Sequence, residues 1–249
     1  MTRTTVASIG LAIGFVRWER RAAAPMVDLS MFNDRLFSAA LASSVLAYLA
    51  IFMLNLLVPF YLIHGLGFDF FHAGILLTPV PVAMVVFAPI SGWLSDKVGS
   101  RALTSSGMLL VAASFFWLSR LGLHPDYGQL IPPLLLNGIG TGLFTSPNNS
   151  AVMGAASRAR MGTAAGLLAT SRSLGMALGT ATAAAVIALR MPAHLAQHGG
   201  TTVATLASYQ DGFVVAGTVA LLAAMTSMVR GSAASSDRSS RAVEPQAIG

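Results

Sequence analysis

The sequence predicts an all-α integral membrane protein, a six-helix transmembrane bundle preceded by a partial helix, and three observations carry that prediction. The chain of 249 residues is 55% hydrophobic and only 10% charged, with a mean hydropathy of +0.71, far from the roughly 25% charged residues of a soluble domain. Its apolar residues gather into six runs, at about 37–63, 74–94, 102–119, 129–153, 162–189 and 213–229. Each run is near the ~20 residues that a helix needs to cross a bilayer. Basic residues occupy the joints between the runs, with Arg172 the exception.

The joint Gly92-Trp93-Leu94-Ser95-Asp96-Lys97-Val98-Gly99-Ser100-Arg101 organises the rest. It is a short knot of charge and glycine between two uncharged runs, so it reads as a tight reversal at the bilayer surface. Putting Lys97 and Arg101 on the cytoplasmic side puts eleven basic residues there: Arg17, Arg20, Arg21, Arg35, Lys97, Arg101, Arg158, Arg160, Arg230, Arg238 and Arg241. Arg3, Arg120 and Arg190 fall on the other side. That asymmetry is a positive-inside signal, and it gives six full spans with a cytoplasmic C-terminus. The net charge of +6 is thereby explained by topology and not by nucleic acid.

Before the first full span, residues 6–16 are apolar but too short to cross a bilayer. Arg17, Glu19, Arg20 and Arg21 stand between that run and Ala22-Ala23-Ala24, which argues against a signal peptide. Residues 1–16 therefore read as the second part of a spanning or linker helix and 17–36 as a cytoplasmic connector. Residues 37–230 form the bundle, and the Ser/Ala/Arg-rich stretch 231–249 reads as a disordered cytoplasmic tail.

Inside a membrane, polar residues are the informative ones, because each needs a partner or water. Ser44, Tyr48 and Asn55 share a helical face in the first full span, and Asn137, Thr141, Thr145 and Asn148 share one in the fourth. Two such stripes suit helices that line a common aqueous cavity, although interhelical hydrogen bonding gives the same pattern. Arg172 lies ten residues beyond Gly162, about 15 Å into its span. A guanidinium there costs about 2.5–3.5 kcal/mol on insertion scales, so a functional role is the default. With the spans bounded as above, none contains a carboxylate to pair with it. The third and sixth spans hold no Asn, Gln or charge and are expected to be peripheral and lipid-facing.

Gly138/Gly142, Gly162/Gly166 and Gly175/Gly179 are spaced to bring helices close, and Pro79, Pro81 and Pro89 should kink the second span. Cysteine is absent, which excludes disulfides, thiolate metal sites and cysteine nucleophiles. The five histidines fall at loops without metal-ligand spacing, and no nucleophile–base pair or phosphate-binding loop is present. No enzyme, metal site or cofactor is expected.

The pattern Gly92-x-Leu94-x-Asp96-Lys97-x-Gly99-x-Arg101 resembles the cytoplasmic-loop signature of the major facilitator superfamily. The stretches Tyr61-Leu62 to Gly67, Ala73-Gly74 to Pro79, Ser146-Pro147-Asn148-Asn149, and Gly166 with Arg172-x-x-Gly175-x-x-x-Gly179 resemble the drug:proton antiporter branch with fourteen helices. The region of Glu19-Arg20-Arg21 and Pro25 resembles the link from that branch's extra central helices. The resemblance covers about residues 12–230, and the family often has Gln where this chain has Ile63. It implies the C-terminal half of a major facilitator fold, the half without the family's proton-titrating acidic residues. Gly92, Asp96, Lys97, Gly99 and Arg101 would then serve the gate, with Asp96 as helix-end cap and charge partner. Tyr48, Asn55, Asn137, Thr141, Asn148 and Arg172 are the candidates for the substrate cavity.

The implied function is a half of a proton-coupled multidrug efflux antiporter in a bacterial inner (plasma) membrane, not competent alone. Its partners would be an amphipathic drug-like small molecule, protons, membrane lipid, and an N-terminal transporter half or a second copy. The alternatives are a homodimeric half-transporter and a non-transporting membrane partner or remnant.

Overall fold

The computed structural model describes residues 29–122, 125–198 and 200–228. The expected partial helix 1–16, most of the connector, the tail and His124 lie outside the described residues. Within them the chain is helical throughout. A 3-10 turn, Leu29–Asn33, leads into α1 (Arg35–Phe60), which continues as a π-helical turn over Tyr61–Gly65. Then come α2 (Phe70–Leu77), α3 (Pro79–Val98), α4 (Ser100–Leu118), α5 (Tyr127–Gly154), α6 (Met161–His198) and α7 (Thr201–Met228).

Aspartates start three of these helices. The Asp34 carboxylate accepts from Leu36 N at 2.8 Å, Asp69 from His72 N at 2.8 Å, and Asp126 from Gln129 N at 2.9 Å. Each satisfies one of the amide groups that a helix N-terminus leaves without a partner. The His72 backbone amide and then its ring hold the Asp69 carboxyl below the usual carboxylate range.

The proline expectation is refined. The second span breaks at Thr78, and Pro79 and Pro81 fall in the first turn of α3, where a missing N–H removes no helical bond; only Pro89 lies in the helix interior. α3 and α4 are separated by Gly99 alone, whose φ of 88° is the left-handed conformation glycine adopts without strain. The charged joint is thus a one-residue hinge between two helix ends.

Five segments are long and apolar enough to cross a membrane: Arg35–Gly65, Phe70–Val98, Ser100–Leu118, Met161–Gln197 and Thr201–Met228. The fourth expected span, α5, has the length, 28 residues, but Gln129, Asn137, Asn148 and Asn149 make it more polar than the others. It sits in the interior, packed on α3 and α4 and touching α1. In turn α1 packs on α6 and α7, while α4 meets α7. Exchanging the first three spans with the last three maps each of these packed pairs onto another packed pair or onto itself. The bundle is built as two three-helix units related by that exchange.

Two expectations are corrected here. The third and sixth spans, α4 and α7, are well covered, whereas α2/α3 and α6 leave most of their apolar surface open: 56% and 44% against 17% for each of the latter. Lack of polar residues does not mark a lipid-facing helix, because an apolar side chain is equally at home against lipid and against another helix. Secondly, α6 runs nine residues past Leu189 and α7 begins twelve before Phe213. Asp211 therefore lies inside a helix of the bundle although outside the apolar run, where the sequence boundaries had left it between spans.

Glycines fix the closest approaches. A Cβ on Gly107 of α4 would stand 2.6 Å from Gly140 O of α5, and one on Gly175 of α6 would stand 2.6 Å from Tyr48 Cβ of α1. Gly138 meets Val80 O of α3, and Gly179 meets Leu49 O of α1. By contrast, Gly162 and Gly166 have no neighbour within 4 Å, so this third glycine pair makes no contact within the described residues. Gly107→Val should lower the apparent melting temperature in detergent by several degrees, an overpacking cost of about 1–3 kcal/mol. Gly162→Ala should leave it unchanged or raised.

Candidate functional site

Three of the expected polar groups, Tyr48, Asn148 and Arg172, lie along a seam between α1, α5 and α6. Its centre is Arg172. Eleven residues from the start of α6, it is about 16 Å along the helix axis. The guanidinium lies over the Tyr48 ring, 5.1 Å from its centroid, and Nη2 donates to the Tyr48 hydroxyl at 3.2 Å. Gly175, one turn further on, brings the α6 backbone against Val45 and Tyr48 and so seats Arg172 at this height. The aromatic face offers the cation a partner without a carboxylate, an interaction of about 0.5–1 kcal/mol at an exposed site such as this.

One turn before Tyr48, the Ser44 hydroxyl accepts from Asn148 Nδ2 of α5 at 2.6 Å while donating to Ala40 O at 2.9 Å. The Ser43 hydroxyl reaches Asn148 Oδ1 at 3.5 Å. Asn55, two turns beyond Tyr48, is exposed. The α1 stripe thus runs from a closed polar contact at Ser44, past Tyr48 and Arg172, to an open position at Asn55.

Asn137 and Thr141 belong elsewhere. Asn137 Nδ2 donates to Ser114 Oγ of α4 at 2.8 Å, and Thr141 Oγ1 donates to Asn137 Oδ1 at 3.5 Å. Both residues are buried. Their stripe on α5 faces α4 at this level and α1 at the level of Asn148. These groups hold helices together, which corrects the reading of Asn137, Thr141 and Asn148 as a cavity wall. Periodicity gives the shared face of a helix but not what that face meets.

The joint at Gly99 is arranged differently from expectation. Asp96 lies in the last turn of α3 and is exposed, so it does not cap α4, whose N-terminus follows Gly99 without a side-chain cap. Among the described residues it forms no ion pair. Lys97 lies over the Trp93 ring, 3.8 Å from its centroid, one turn back on α3. Arg101 projects from the first turn of α4 and is exposed. Gly92 passes close to α5, a Cβ there meeting Ser146 Oγ at 3.0 Å, and Ser91 Oγ donates to Gly142 O at 2.9 Å beside it. The glycine and serine bind α3 to α5, and the charges are left on the surface.

Sequence reasoning missed one cluster. At the opposite end of the bundle, Asp211 of α7 accepts on one oxygen from Arg190 Nε and His194 Nε2 of α6, each at 2.9 Å. The spacing of Arg190 and His194, one helical turn apart, was visible; that both lie on helix was not, because the apolar run ends at Leu189.

These features define a class: a multi-pass helical membrane protein whose helices pack through glycines around a polar seam that holds Arg172. The comparisons narrow it, since residues 11–180 match the model of the Major Facilitator Superfamily. The chain belongs to the Major Facilitator Superfamily. It is 35% identical over 182 residues to the uncharacterized transporter YebQ of Escherichia coli, covering 73% of this chain and 40% of that one. It is 33% identical over 171 residues to the riboflavin transporter RibZ of Clostridioides difficile (69% and 37%). It is 28% identical over 192 residues to the multidrug resistance protein Stp of Mycobacterium tuberculosis (77% and 35%). The chain therefore spans well under half the length of these curated relatives.

The buried amide gives a test of the packing. Ser114→Ala leaves the Asn137 amide short of its α4 partner and should destabilise the protein by about 1–3 kcal/mol. Combining it with Asn137→Leu should recover most of that loss, measured as thermal unfolding in detergent.

Proposed function

We propose that this chain is the C-terminal six-helix half of a proton-coupled efflux transporter for amphipathic small molecules, working against a second six-helix unit in a bacterial plasma membrane. The observation that carries the reading is the pair of uncovered helices. α2/α3 and α6 each turn outward apolar residues, with Val85 73% and Trp93 61% exposed on α3 and Leu174 48% and Leu178 43% on α6. They also turn outward Gly162 and Gly166, small residues suited to close helix contact. Transporters of this fold work by rocking one six-helix unit against another around a midplane site. An open face beside Arg172 suits that arrangement.

Arg172, Tyr48 and Asn55 would supply this half's polar contribution to the cavity, with Asn148 fixing α5 against α1 behind them. Asp96, Lys97 and Arg101 would engage the loop or helix ends of the other unit, with Gly92 and Gly99 shaping the joint that presents them. The basic residues of the Gly99 end support a cytoplasmic placement for it and for the C-terminus. The names of the relatives, a multidrug resistance protein and a riboflavin transporter among them, support a small-molecule substrate. Export would follow from proton-dependent bias between the two access states, each with its own affinity for substrate.

Vesicles containing this chain alone, with an imposed proton gradient, should show no drug-dependent proton flux; the same chain joined to an N-terminal half should restore it. Robust flux from the chain alone would contradict the reading. In the joined transporter, Arg172→Ala should reduce export on the order of tenfold, the equivalent of losing about 1.4 kcal/mol, with membrane insertion unchanged. Normal export would reduce Arg172 to a packing residue.

A further inference from the structure

The Arg190–Asp211–His194 cluster stands apart from the seam and from the Gly99 joint. Two lengths and one contact bracket its height. Asp211 is 17 residues from the end of α7 at Met228, about 26 Å, and Arg190 is 29 residues from the start of α6, about 44 Å. The first falls short of a ~30 Å hydrocarbon core and the second passes it, and Gln210, next to Asp211, reaches Leu121 O beyond the end of α4, so the cluster lies towards the face opposite Gly99. In the orientation proposed above, that face is the external one.

The cluster is partly open to water there: His194 is 17% exposed, Asp211 30% and Arg190 58%. Asp211 and Arg190 cancel in charge. His194 Nε2 already donates to the Asp211 carboxylate, so an added proton goes to Nδ1. It takes the cluster from neutral to a net single positive charge and adds ion pairing to a hydrogen bond that the carboxylate already makes charge-assisted. An imidazole is the side chain whose ordinary titration falls between pH 5 and 8.

The architecture around it gives that proton a mechanical consequence. Pro192 lies between Arg190 and His194 and removes one helical hydrogen bond of α6. Asp211 therefore holds α6 on both sides of a weakened turn. Beside it, Gln210 Nε2 donates to Leu121 O after α4 at 2.6 Å, while Thr205 and Ser208 donate to Thr201 O and Ala204 O of their own helix, each at 2.7 Å, with the Met191 sulfur nearby. α7 is thus anchored to α4, and the Asp211 contacts tie the outer end of α6 to that pair. The same α6 carries Arg172 18 residues inward, about 27 Å.

The other titratable or charged groups near these helix ends include His198 one turn further along α6, Tyr209 on α7, Tyr61 and His64 on the end of α1, and Arg120 after α4. The Tyr61 and Tyr209 rings face each other at 6.4 Å, and His64 stacks on Phe60 at 5.2 Å. Among the described residues, only Arg190 and His194 form ion pairs with Asp211.

We propose that His194 and Asp211, poised by Arg190, form an external proton-binding site that sets the position of the outer end of α6. The proton adds to the imidazole, Asp211 keeps its charge against Arg190, and the protonated state fastens α6 to α7. The inference rests on the transporter reading for its purpose, and its test does not use transport.

The chain has no cysteine, so Gln197→Cys and Phe71→Cys can carry a spin-label pair without background. Both positions are exposed. In lipid vesicles the label distance distribution should narrow as pH falls from 8 to 5.5. That response should be lost in His194→Gln, which stays neutral at both pH values, and in Asp211→Asn. Should Asp211→Asn fail to insert, His194→Gln decides alone. A pH-independent distribution in the parent, or an undiminished response in His194→Gln, overturns the proposal. A pH-responsive clasp together with no flux from the joined transporter would sink the transporter reading and leave the proton site standing. Flux without a pH-responsive clasp would do the reverse.

Discussion

Backbone contact through glycine is the constraint on which this bundle depends. Lipid is as apolar as a leucine side chain, so burying one against the other gains little, and helices associate through close packing and polar contacts. Gly107 against Gly140, Gly138 against Val80, and Gly175 and Gly179 against Val45 to Leu49 set which helices touch and at what height. The polar contacts follow from those approaches. Asn137 reaches Ser114 because α4 and α5 meet at Gly107 and Gly140, and Arg172 lies on Tyr48 because Gly175 admits α1.

The same constraint separates two kinds of polar residue. Asn137, Thr141 and Asn148 are buried and satisfied between helices, where losing a partner would cost more than the bond contributes. Arg172 and Asn55 are exposed at the seam. An exposed guanidinium about a third of the way along a spanning helix is costly unless water, a substrate or another protein surface meets it. Its aromatic neighbour moderates that cost without neutralising the charge, which leaves the cation available to whatever covers the seam.

How far the sequence revealed this depended on the signal. Apolar runs gave the order of the spans but not the break at Thr78 that makes two helices of the second, nor the polarity that sets α5 apart from the five segments apolar enough to cross, and Gly99 with its flanking charges gave the sharp joint. The ends of α6 and α7 were hidden because hydropathy reports the stretch that lies in lipid, whereas a helix continues as long as its backbone hydrogen bonds do. Asp211 was lost to that difference. Which helices are covered was also illegible: α4 and α3 are comparably apolar, and only the three-dimensional pairing shows that α4 is wedged between α5 and α7 while α3 is open. The partners of Asn137 and Asn148 needed the helix crossings, which no one-dimensional period contains.

The central claim is that the open faces of α2/α3 and α6 are covered by a second six-helix unit. Single cysteines at Val85 on α3 and Leu178 on α6, with Leu109 on α4 and Leu222 on α7 as controls, are all at exposed positions. Their labelling by a lipid-soluble maleimide, in this chain alone and joined to an N-terminal half, tests it most directly. The account predicts that all four label in the chain alone, and that joining the second half protects Val85→Cys and Leu178→Cys while leaving both controls reactive. Equal labelling of all four in the joined protein would contradict it.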